Sequence, residues 1–179
     1  MQNPGTSIPY GYHISFSCYG KRLHGNKLGT VDRKTQNIFD TPFIPHNADW
    51  ETYEKDLMTN PPYILDKHRR QIVLDAIIDV CTFRNWFLWA IHVRTTHVHV
   101  VVTAPVKPEK ILNDFKSYAS RKLNKAGLDP NGCKRWQRHG STTYKWNPDD
   151  VETAFNYVIF GHGEQLDVFL HDGEDLPPP

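Results

Sequence analysis

The sequence predicts an α+β fold, an antiparallel sheet with helices packed on one face, and three observations carry that prediction. Short aromatic and β-branched runs mark strands, and longer segments with apolar residues at three- and four-residue spacing mark helices. They follow in the order strand, helix, strand, strand, helix and a further piece, which resembles a ferredoxin-like sheet.

The elements are justified in order along the chain. Tyr12 to Tyr19 alternates polar and apolar residues until Gly20 closes it, the pattern of a first strand. Residues 20–62 are rich in Gly, Asn and Pro, which predicts a long insertion loop with a short helix near 50–58. Over 67–84, Ile72, Val73, Ala76, Ile77 and Val80 form the stripe of an amphipathic helix. Trp86 to Val93 and Thr96 to Thr103 are strand-like runs separated only by Arg94-Thr95, and so predict a hairpin. Pro108 opens a second helix, striped by Ile111, Leu112, Phe115, Ala119 and Leu123 and stopped by Gly127. A basic loop follows, and Pro148-Asp149-Asp150 opens a third helix that runs to about Phe160, its acids suiting the N-terminal dipole. Residues 1–170 read as a single domain, and 171–179 as a disordered acidic and Pro-rich tail.

Composition bounds the function. Apolar residues make up 39% and charged residues 23% of 179, ordinary values for a chain that buries its own core. Cys18, Cys81 and Cys133 are too few and scattered for a disulfide framework or a four-cysteine zinc site, and suit a reducing cytoplasm. No secretory leader and no apolar run of membrane-spanning length is visible. Net charge is only +1, yet residues 107–138 carry +6 and residues 147–179 carry −8. The basic segment is a candidate footprint for phosphate.

His97 and His99 stand at i and i+2 on a predicted strand, so their side chains share a face, with Val98 and Val100 on the other. Two imidazoles on one face can converge on one metal ion. A histidine-triad nucleotide hydrolase would need a third histidine where Val101 stands, and a two-histidine phosphoesterase would need a hydroxyl where His99 stands. On the second helix, Tyr118 lies at the flank of the apolar stripe, near Arg121, Lys122 and Lys125. A phenol with an ordinary pKa near 10 needs cations and a metal-polarised phosphate to act as a nucleophile.

The runs Val93 to Val102 and Phe115 to Asn124 resemble the single-tyrosine HUH transposases, the REP-associated tyrosine transposase branch most of all. Trp136 to Thr142, Tyr157-Val158 and His13 on the first strand extend the resemblance over roughly residues 10 to 165. It implies the HUH nuclease fold and an endonuclease and strand transferase acting on single-stranded or hairpin DNA. Tyr118 would be the nucleophile, leaving a 5′-phosphotyrosine and a free 3′-hydroxyl, and His97 and His99 would hold Mg²⁺ or Mn²⁺. Because the covalent link conserves the bond energy, rejoining needs no ATP.

Some members of that family draw a third metal ligand from a Gln one turn after the tyrosine, where this chain has Lys122. Asp114, Asn124, a loop residue or water could stand in for it. Arg121, Lys122, Lys125, Lys134, Arg135 and Arg138 are candidate phosphate contacts, with Trp136, Tyr144 and Trp146 as candidate stacking partners for unpaired bases. The alternative is a domesticated, non-cleaving nucleic-acid-binding protein; a water-using phosphoesterase is a third reading. Monomer and homodimer are equally open.

Overall fold

The computed structural model describes residues 9–21, 23, 27, 45–161 and 163–171. Most of the insertion loop and residues 172–179 of the expected tail therefore lie outside the described residues. Among the described residues, five strands form one antiparallel sheet in the order β4-β1-β3-β2-β5. β1 is Gly11–Cys18, β2 Phe87–Val93, β3 His97–Thr103, β4 Trp136–Lys145 and β5 Asp167–Leu170. The first four strands follow the ferredoxin-like order, and β5 adds an edge strand beside β2. The expected α+β class and antiparallel sheet are observed.

Among the described residues, four helices accompany the sheet: α1 Ala48–Asp56, α2 Lys67–Arg84, α3 Pro108–Lys125 and α4 Pro148–Phe160. α2 and α3 pack on one face. From α2, Val73, Ala76, Ile77 and Val80 reach the main core, and from α3, Ile111, Phe115, Ala119 and Leu123 do so. They meet Ile14 and Phe16 of β1, Ile91 and Val93 of β2, and Val98, Val100 and Val102 of β3. At about 1.5–3 kcal/mol for each fully buried large apolar side chain, this face dominates the stability.

α4 is the exception to the expected one-sided packing. Its stripe of Val151, Ala154, Val158 and Ile159 forms a second, smaller cluster with Ala90 and Val101 on the opposite face. The cause is in β3 itself: Val101 shares its face with the histidines, and an apolar side chain there needs a cover. Asn147 Oδ1 caps the helix by accepting from the Asp150 N–H at 2.8 Å, and Pro148 opens it.

The expected basic loop before α4 is in fact half strand. β4 pairs with β1 from Gly11↔Lys145 to Cys18↔Trp136, with a bulge between Phe16 and Cys18. No residue of β4 is fully buried, so the hydrophobic alternation that betrays an inner strand is missing. Lys116 of α3 anchors it, its buried Nζ donating to the carbonyls of Gln137 and His139 at 2.8 and 3.1 Å. His171, assigned by sequence to the free tail, donates its backbone N–H to the Trp89 carbonyl at 3.0 Å. No helix among the described residues is long and apolar enough to cross a membrane.

Candidate active site

β3 divides its side chains between two environments. Val98, Val100 and Val102 are fully buried on the α2/α3 side, so alternation turns His97 and His99 to the α4 side, where both are half-buried. The two rings stand 5.1 Å apart between centroids and nearly perpendicular, at 87°. Across β1, His97 pairs with Ser17 and His99 with Ser15, while His13 pairs with Val101, so His13 is the diagonal neighbour of His99 on the same face. His13 Nε2 lies 3.0 Å from His99 Nδ1, and Thr96 Oγ1 lies 3.2 Å from His97 Nδ1.

The tyrosine on this face is Tyr157, not Tyr118. Tyr157 flanks the buried stripe of α4 and is 48% exposed. Its ring centroid lies 6.0 Å from that of His99 and 5.8 Å from that of His13, edge-on to both. Gly161, one turn on, gives this ring room: a Cβ there would stand 2.6 Å from the Tyr157 carbonyl oxygen and 2.9 Å from the ring.

Tyr118 packs against the main core under α3, with the Arg121 guanidinium 4.4 Å from its ring centroid. The sheet stands between it and the histidines. Lys122, and Asp114 and Asn124 as its possible substitutes, lie on the same side. Lys122 pairs with Asp79 of α2 at 2.5 Å, Asp114 pairs with Arg84 and Lys110 at 3.3 and 3.1 Å, and Asn124 lies near the end of α3. None of them reaches the histidine face.

The candidate DNA contacts separate in the same way. Arg135 is buried and donates through Nε to Asp129 at 2.8 Å. Burial tends to raise the Asp129 pKa, yet hydrogen bonds from Tyr63, Arg135 and Arg69 hold it below the usual carboxylate value. Arg135 therefore ties loops together and is not open to phosphate. Trp136 lies edge-on to Phe16 at 5.2 Å and donates its indole N–H to Ser120 Oγ at 2.9 Å, the setting of a core residue. Arg121, Lys125, Lys134 and Arg138 are exposed, the first two on α3 and so on the far face from His97. Tyr144 and Trp146 remain exposed and stack on each other at 5.4 Å and 11°.

His92 of β2, opposite His99 in register, is fully buried. Its Nδ1 contacts the Val158 carbonyl at 3.0 Å, and its Nε2 accepts from the Leu166 N–H at 3.3 Å. Only the Nδ1-protonated neutral ring satisfies both, and burial pushes the His92 pKa below its ordinary value despite the carbonyl that favours the charged form. The bond falls on the residue next to Tyr157, so His92 holds the tyrosine-bearing turn of α4 against β2.

A same-face histidine pair on an inner strand with an exposed tyrosine beside it has the chemical parts of a phosphodiester-transfer site. The chain belongs to the IS200-like transposase family: the family's model matches residues 60–158, more than half of the 179. That span contains both histidines and Tyr157. A solved REP-associated tyrosine transposase bound to a REP hairpin is similar in structure, with a TM-score of 0.49 and 16% sequence identity, over 91% of this chain and 74% of that one. No curated protein matches by sequence.

Proposed function

We propose that this transposase-family chain cleaves and rejoins single-stranded or hairpin DNA through a phosphotyrosine on Tyr157, with His97 and His99 holding a divalent ion, Mg²⁺ or Mn²⁺. The carrying observation is that Tyr157, alone among the described tyrosines, has ring contacts with the pair's His99. Family membership and a solved relative carrying a REP hairpin support the choice of substrate. Such a substrate implies a cytoplasmic location.

Among the described residues no group of three or more His, Cys, Asp or Glu is arranged to hold a metal. Among the described residues the site thus offers two imidazole donors, and water and phosphate oxygen would complete the shell of a bound ion. Gly161 provides no side-chain ligand one turn after Tyr157. Two imidazoles completed by water and phosphate oxygen suit Mn²⁺ better than Mg²⁺, which prefers oxygen donors throughout. When bound, the ion supplies Lewis acidity that stabilises charge on the non-bridging oxygens.

Tyr157 Oη attacks the scissile phosphorus as its phenolic proton passes to solvent. The new O–P bond replaces the P–O3′ bond, and the 3′-oxygen leaves and takes up a proton. Rejoining runs the same exchange backwards with a different 3′-hydroxyl. His97 and His99 keep their ring positions throughout because β3 is an inner strand, paired on both sides.

The test incubates full-length protein with Mn²⁺ and single-stranded oligonucleotides carrying palindromes that flank its gene, and follows a protein–DNA adduct resistant to denaturation. Wild type forms it, and Tyr157→Phe forms none. A Tyr157→Phe variant that still forms the adduct would remove Tyr157 from the mechanism. The second reading, a non-cleaving hairpin binder, is favoured by the lack of a third protein ligand among the described residues; hairpin binding by wild type without any adduct would select it.

A further inference from the structure

We infer that His13 is a positioning residue for the metal site: it accepts a hydrogen bond from His99 Nδ1–H and so fixes His99 in the tautomer and orientation that offer Nε2 to the ion. This rests on the metal reading proposed above and extends it to a residue on another strand.

The geometry of the His13–His99 contact carries the inference. The two rings are within 22° of parallel and their centroids stand 5.3 Å apart, yet His13 Nε2 and His99 Nδ1 are only 3.0 Å apart. Two imidazoles whose centres are that far apart can bring nitrogens this close only if both nitrogens lie on the line between the centres. The rings are therefore joined edge to edge, with the N–H of one aimed in plane at the lone pair of the other. They are neither stacked face to face nor splayed as two ligands of one ion would be.

A neutral imidazole carries one proton, so this bond leaves two choices. If His13 donates, His99 keeps its proton on Nε2 and has no lone pair left for a metal. If His99 donates from Nδ1, its Nε2 lone pair is open, and only this choice agrees with a metal-binding role. Ligating histidines are held in this way by an acceptor on the far nitrogen, usually a carboxylate, carbonyl or water. At His97 the hydroxyl of Thr96, 3.2 Å from Nδ1, is placed to do the same, so both rings would present Nε2. His13 reaches its place because β1 alternates: Tyr12, Ile14 and Phe16 enter the main core, and His13 falls on the histidine face.

The test combines a spectroscopic and a binding readout on the full chain. Long-range ¹H–¹⁵N spectra of histidine-labelled protein, with His99 assigned by comparison with His99→Gln, report which nitrogen is protonated without metal. The expected result is Nδ1–H for His99 in wild type, moving towards Nε2–H in His13→Ala. Mn²⁺ titration followed by electron paramagnetic resonance should show about 10- to 100-fold weaker binding in His13→Ala. His13→Gln, whose amide oxygen can occupy the place of Nε2, should recover most of it. An Nε2–H tautomer for His99 in wild type, which needs no variant to measure, would overturn the inference. So would unchanged Mn²⁺ affinity in His13→Ala. If wild type bound no Mn²⁺, the metal reading itself would fall, while the spectrum would still decide which ring donates.

Discussion

The two faces of the sheet share the same strands and do opposite work. On one, α2 and α3 seal Val98, Val100 and Val102 of β3 into a core that contains Phe16 and Phe115. On the other, α4 covers Ala90, Val101 and His92 and leaves His97, His99 and Tyr157 in reach of solvent. The difference teaches that a rigid site needs both: the valines fix β3, and the histidines use that fixity. A tyrosine is placed by the face its helix covers.

Substitutions on the two faces should therefore fail in different ways. The largest contrast is His97→Ala with His99→Ala, expected to abolish Mn²⁺ binding and adduct formation while moving the unfolding free energy by about 1 kcal/mol. Phe115→Ala, on the sealed face, should cost about 3–5 kcal/mol by denaturant unfolding, because Phe115 is fully buried. Next, Gly161→Ala places a Cβ in the space used by the Tyr157 backbone and ring, at a stability cost of about 1–3 kcal/mol. Its adduct rate should fall further than that cost accounts for, since Tyr157 must shift.

How much of this was legible in the sequence follows from the same contrast. β1, α2, β2, β3 and α3 announce themselves because each buries a full face or stripe in the main core, and burial writes periodicity. β4 and β5 are edge strands with no fully buried residue, so their sequences carry no such pattern. The histidine pair was readable from its spacing. The sequence points to Tyr118, which the structure sets on the α2/α3 side of the sheet, and the signal for that placement is present: a helix striped to cover Val98 and Val100 cannot also reach His97 and His99. Val101, apolar on the histidine face, marked where another helix must lie. Trp136 and Arg135 look like nucleic-acid contacts by residue type, and only their partners Ser120 and Asp129 reveal them as structural.

The smallest effects concern what holds α4 in place. The folded pKa of His92 lies below the unfolded value of 6.5, so its contribution to stability is fully present above that value and is lost as pH falls below it. A pH series of unfolding curves should show this loss in wild type and a shallower one in His92→Gln. Lys122→Met, which removes only the ion pair with half-exposed Asp79, should change stability by less than about 1 kcal/mol and leave Mn²⁺ affinity untouched.

The most direct measurement is mass spectrometry of the protease-digested protein–DNA adduct, locating the modified residue. The two-faced sheet predicts the nucleotide on the peptide that contains Tyr157, on the histidine face. A nucleotide on the peptide that contains Tyr118 would contradict it, since that ring lies across the sheet from His97 and His99.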